Sequence, residues 1–155
     1  MNVVHVHLVA THLPVTGIIF GFCLLLWGVL RRSSEIVRLS WGWFVVCGLL
    51  ALPAYFSGEP TAELVKGLVG VKPEAIEQHE ELAEVALAGT LVVGVVSLGA
   101  LIVFRGRREP PRWTALVILF LVVLAGGLLG WTANLGGRIR HPEMQTTAGP
   151  RGGGR

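Results

Sequence analysis

Apolar residues along this chain fall into four long runs. The first extends from about Leu8 to Leu30 and stops at Arg31-Arg32. The second extends from about Ile36 to Phe56, and the third from about Leu82 to Phe104, before Arg105, Arg107 and Arg108. The fourth starts near Trp113 and reaches about Leu135, before Gly136-Gly137. Each run has roughly 20 residues or more, enough for a helix to cross about 30 Å of hydrocarbon. Lipid offers no partner to a free N–H or C=O, so these segments must be helical. Pro53 predicts a kink late in the second run, and Gly136-Gly137 predicts the end of the fourth. The expected fold is all-α: an integral membrane four-helix up-down bundle, with a short surface helix between helices two and three.

That surface helix is predicted from the connection between Ser57 and Glu81. Leu64, Val65, Leu68 and Val69 share one face there, suited to lying on a membrane and covering the adjoining end of the bundle. Pro73 then opens a second helical start, with Glu74 and Glu77 near its N-terminus, where negative charge is favourable. This helix is expected to run straight on into the third span. Residues 1–145 form one transmembrane domain on this reading. The tail from Thr146 to Arg155 is polar and Gly-rich, which predicts disorder.

Composition supports a bilayer as the solvent. Of 155 residues, 52% are hydrophobic and 15% charged, where a soluble domain carries about a quarter charged. The net charge of +3 does not indicate a nucleic-acid surface, because the basic residues sit mainly in short turns and the tail. Arg31, Arg32 and Arg38 flank the first turn, and Arg105, Arg107, Arg108 and Arg112 the other short turn. The longer connection between them carries only Lys66 and Lys72. This asymmetry predicts cytoplasmic arginine turns and both termini outside, in a bacterial inner membrane. The N-terminus lacks a basic stretch and a small-x-small cleavage site, so the first run reads as a retained helix and not a signal peptide. Trp41, Trp43, Trp113 and Trp131 lie near span ends, as interfacial anchors do. Cys23 and Cys47 lie inside spans and read as packing residues, not a disulfide framework.

Candidate chemistry rests on the histidines. His5, His7, His12, His79 and His141 all fall toward the predicted outer end. At 100° per residue, His5, His12, Thr16 and Cys23 form one stripe on the first span. His79, Ala86, Thr90 and Ser97, with Gly94 nearby, form another on the third. Gly127, Gly130, Asn134 and Gly137 share one side of the fourth. If these small and weakly polar residues face inward, helices can approach closely or leave room for a flat cofactor. His5 and His7 taken alone read as ordinary interfacial histidines. His12 lies within the apolar run, where an ionisable group is a functional candidate by default. Two imidazoles on facing helices suit a b-type haem, and Arg138 and Arg140 would face its propionates. No Cys-x-x-Cys-His motif is present, which excludes covalent c-type attachment at such a motif. The rival reading is a metal site of histidines with Glu80, Glu81 or Glu143. No serine, cysteine or carboxylate constellation points to hydrolytic or nucleophilic catalysis.

At these residues the chain resembles a bacterial family of small four-helix membrane proteins labelled as a domain of unknown function. The matching pieces are His12-Leu13-Pro14, Gln78-His79-Glu80, and the end of the fourth helix from Gly130-Trp131 to Gly136-Gly137. The resemblance spans Val3 to His141 through short motifs. It departs after Gly137, where Arg138-Ile139-Arg140-His141 replaces a more aromatic ending. Members of that family are found fused to Rieske iron–sulfur or c-type cytochrome domains, which implies electron transfer. The resulting expectation is a haem b-binding electron-transfer subunit near the outer face, working between quinol and an external redox protein or a larger respiratory complex. His12 and His79 are the expected iron ligands, with His141 as the substitute for either. The alternatives are a histidine-lined metal-binding bundle and a structural anchor subunit.

Overall fold

The structure, a computed structural model, describes residues 3–66, 71–105 and 109–140. Within these it is all-α. Helix α1 covers Val3–Leu30, α2 Ser34–Phe56, α3 Gly58–Val65, α4 Pro73–Val103 and α5 Arg112–Arg140. Four of these helices are long and apolar enough to cross a membrane. The predicted tail, along with His141 and Glu143, lies outside the described residues.

The helix boundaries follow local chemistry. Helix α1 ends in a turn where Arg32 takes φ 54°. Ser33 N–H donates to Gly28 C=O at 3.0 Å and Arg32 N–H to Val29 C=O at 3.3 Å, the paired bonds of a Schellman ending. Ser33 then caps α2, its hydroxyl accepting from Ile36 N–H at 3.3 Å. Pro73 sits in the first turn of α4 beyond the extended Lys72, and α4 runs unbroken into the third span as expected. Gly136-Gly137 does not end the fourth helix, which continues to Arg140. Tertiary contact offsets the weak helix propensity there, because the bare Gly136 Cα lies against the His79 ring.

Neighbours around the bundle run α1, α2, α4, α5 and back to α1, so α1 and α4 are diagonal. Small residues set the spacing. A Cβ on Gly17 would come 2.8 Å from Cys47 Sγ, and one on Gly21 would run into the Phe44 ring and lie 2.9 Å from Trp43 Cδ1. At the α2–α4 crossing, a Cβ on Gly48 would sit 3.6 Å from Gly94 Cα. Without a hydrophobic drive between helices in lipid, such close backbone approach supplies the packing energy. The α1–α5 seam is more open, with an apolar groove of about 170 Å³ lined by Ile18, Ile19, Phe22, Val122, Val123 and Gly126.

Of the four tryptophans expected as interfacial anchors, Trp41 and Trp43 are not. Trp41 is fully buried, its ring 6.3 Å from that of Phe104. Trp43 packs edge-on to Phe20 and donates from Nε1 to Gly17 C=O at 2.8 Å. Both belong to the faces that α2 turns to its neighbours. Trp113 and Trp131 are exposed near the ends of α5, as anchors would be. Trp43→Phe removes one hydrogen bond while keeping an aromatic ring in the seam. It is expected to lower stability by about 1 kcal/mol, measured by detergent-titration unfolding. An unchanged midpoint would mean that the bond carries no net stability.

Helix α3 lies at the end of the bundle where α1 begins. It buries Ala62 and leaves Leu64 exposed. The predicted apolar face is therefore not turned into the bundle at Leu64, an orientation compatible with a helix lying on a membrane. Leu68 and Val69 are outside the described residues.

Candidate functional site

The start of α1, the end of α2, α3, the start of α4 and the end of α5 meet at one end of the bundle. Two half-buried histidines converge there from diagonal helices. His7 Nδ1 lies 2.9 Å from Ser57 Oγ, where α2 passes into α3. Ser57 Oγ itself donates to Ala54 C=O at 2.9 Å. With that single hydroxyl proton on Ala54 C=O, Ser57 Oγ accepts from His7, and His7 Nδ1 then carries the hydrogen. His79 Nδ1 lies 3.1 Å from Thr132 C=O on α5. A carbonyl only accepts, so this Nδ1 also carries a hydrogen. In the neutral ring each Nε2 is then a bare lone pair.

The surroundings hold these rings in place. Thr132 Oγ1 donates to Leu128 C=O at 2.9 Å and lies 3.4 Å from Leu82 C=O, tying α5 to α4 beside His79. A Cβ on Gly136 would approach His79 Cε1 to 3.1 Å, so the glycine makes room for the ring. Gly58 stands similarly beside His7, where a Cβ would lie 3.6 Å from Cε1. A ligand histidine fixed through its far nitrogen by a carboxylate, a backbone carbonyl or water is the usual arrangement around protein-bound metals.

The other predicted residues fall differently. His12 does not face His79 across the interior. It is exposed, its Nδ1 donating to Leu8 C=O on its own helix. The whole stripe of His5, His12, Thr16 and Cys23 points outward. The reason lies on the opposite side of α1, where Pro14, Gly17, Ile18, Gly21, Leu25 and Gly28 are buried. Helix α1 is oriented by its small and shape-fitting residues, which leaves the polar ones outside. The α4 stripe does face inward, with Ala86, Thr90, Gly94 and Ser97 all buried. On α5, Gly127, Gly130 and Asn134 are exposed, contrary to the expected inward face. Arg138 is exposed near the histidine end, and the side chain of Arg140 lies outside the description.

The sequence reading set His7 aside as an interfacial histidine, and the fold turns it inward to Ser57. Its helical-wheel angle matches that of Pro14 and Leu25, which would have marked it as inward had the small residues been used as the guide. Glu80 and Glu81 are exposed. Among the described residues no group of three or more His, Cys, Asp or Glu stands close enough to hold a metal ion. No family model, no curated protein and no solved structure matches this chain.

Proposed function

We propose that this chain is a membrane-embedded electron-transfer subunit that holds a b-type haem at its histidine end, with His7 and His79 as axial ligands. One observation carries the reading: two imidazoles on diagonal helices, each anchored through Nδ1 so that Nε2 is bare. A porphyrin brings four nitrogens and asks the protein for two more, whereas a zinc site asks for three or four protein ligands. The donor set is a pair of imidazoles, which fits the porphyrin case in number and kind. Bound there, a haem would supply a one-electron carrier. Ser57 and Thr132 would fix the two ligand rings, Gly58 and Gly136 would leave them space, and Arg138 and Arg140 are the cations for the propionates. Quinol in the bilayer and an external redox protein are the proposed partners. The purified full chain is expected to show the Soret and alpha bands of a low-spin haem. A colourless protein that retains zinc or copper would support the metal-binding alternative instead.

The arginine asymmetry supports reading this end as outside the cytoplasm, in a bacterial inner membrane. Reporter fusions after Arg32 and after Arg108 are expected to read cytoplasmic, and one after Lys72 external. A cytoplasmic reading after Lys72 would reverse the orientation and bring the histidine end to the inner face.

A further inference from the structure

The groove in the α1–α5 seam has a definite depth in the bilayer. Gly126 is the middle residue of α5, and a Cβ on it would lie 3.4 Å from Ile18 Cγ2. Phe22 and Val122, which line the groove farther along, lie about 6 Å from that contact on their helices. Both lie toward the end that carries the arginine turns. The groove therefore belongs to the deep half of one leaflet. Its lining is apolar side chains and a glycine, which give water no partner. In hydrocarbon such a space is filled by a chain, because atoms left without neighbours lose their dispersion contacts.

Charge supplies the second observation. Arg32 follows the end of α1, and Arg112 begins α5. Each lies fourteen residues from the Ile18–Gly126 contact, which is about 21 Å along a helix. Half a bilayer with its headgroups measures about 20–22 Å, so both residues stand at headgroup depth. Eleven residues complete three helical turns to within about 20°, which puts Arg112 on the same line of α5 as Val123 in the groove. Leu116 and Leu119 continue that line between them. Arg31 is engaged elsewhere, its guanidinium 5.5 Å from the centre of the Trp27 ring. Arg32 and Arg112 are exposed, and among the described residues neither has a carboxylate partner. The acidic residues nearest in sequence, Glu35 and Glu109, are exposed and pair with neither.

We infer that the α1–α5 seam is a binding site for an anionic phospholipid. The phosphate lies between Arg32 and Arg112, and one acyl chain runs past Leu116 and Leu119 into the groove. The two ends select the occupant together. A groove alone accepts any apolar chain, and two arginines alone accept any anion. The distance between them fits an amphiphile with a negative head and a chain that reaches mid-bilayer. A guanidinium holds phosphate oxygens through paired N–H bonds, and a headgroup with no cation of its own leaves its whole charge to the two arginines. Basic pockets between membrane helices hold such headgroups. The site is at the opposite end of the bundle from His7 and His79 and does not depend on haem.

Native mass spectrometry of the full chain in detergent tests the site, with phosphatidylglycerol and phosphatidylcholine of the same acyl chains as probes. Wild type is expected to bind one phosphatidylglycerol about thirtyfold more tightly than phosphatidylcholine, the usual worth of two arginines beside an anionic headgroup. Arg112→Gln should weaken phosphatidylglycerol about fivefold, and adding Arg32→Gln should remove the preference. Arg105→Gln takes one charge from the same end, beyond α4, and should leave the preference intact. Gly126→Leu puts a side chain into the groove and should weaken both lipids alike. Equal affinity of wild type for the two lipids would overturn the inference. Arg105→Gln as costly as Arg112→Gln would reduce the effect to general surface charge and overturn it too. A folded Gly126→Leu with unaltered binding would remove the chain from the seam, with the same consequence. The glutamine variants are at exposed positions, so the charge comparison decides even if Gly126→Leu does not fold.

Discussion

Gly21→Leu is expected to unseat α1 from α2 and to be the most destabilising single change in the bundle. A Cβ at this position already runs into the Phe44 ring and stands 2.9 Å from Trp43 Cδ1. Leucine adds three more carbons beyond that point. Phe44 is fully buried, and Trp43 is held by its bond to Gly17 C=O, so neither ring can yield freely. Overpacking of this kind costs about 3 kcal/mol where the neighbours are rigid. Gly127→Leu on α5 is the control, since a Cβ there meets nothing within 4 Å. It should shift stability by no more than about 0.5 kcal/mol. Unfolding midpoints in detergent titrations, with helicity followed by circular dichroism, measure both. Equal midpoints for the two variants would show that the close approach of Gly21 to Phe44 and Trp43 does not set the α1–α2 spacing.

The second large effect is on the proposed ligand pair. His7→Ala and His79→Ala are each expected to abolish the low-spin haem spectrum, whereas His12→Ala leaves it intact. This reverses the ranking that helical periodicity alone favours, in which His12 is the ligand and His7 a bystander. Loss of the cofactor should also lower stability. A ligand present at a hundred times its dissociation constant contributes about 2.7 kcal/mol to the state that binds it. The His7 and His79 variants should therefore unfold earlier than wild type in the presence of haem and near the wild-type midpoint without it. That comparison separates a lost ligand from a damaged fold. A spectrum that survives both substitutions, or vanishes in His12→Ala, would remove His7 and His79 from the site.

Much of the architecture could be read from composition and run length. Four runs of about 20 apolar residues, broken by arginine turns, leave few alternatives to four membrane helices, because unpaired backbone groups are so costly in lipid. Pro73 marked the true start of α4 because its lost N–H is harmless only in a first helical turn. Gly136-Gly137 misled in the opposite sense. Glycine weakens a helix locally, yet the His79 ring packed on Gly136 keeps α5 going to Arg140. No local rule could supply that, since the two residues lie 57 positions apart.

What the sequence determined by itself is the number of helices, their span and the end at which the histidines gather. Which histidines meet was decided only by the tertiary structure. In water, burial sorts polar faces from apolar ones, and periodicity then points to the core. In lipid both faces of a helix can be apolar, and that guide disappears. Shape takes over. Helix α1 turned Gly17, Gly21 and Gly28 toward α2 because only there could the backbones close on Phe44, Cys47 and Val37. That rotation carried His7 inward to Ser57 and left His12, Thr16 and Cys23 on the outside.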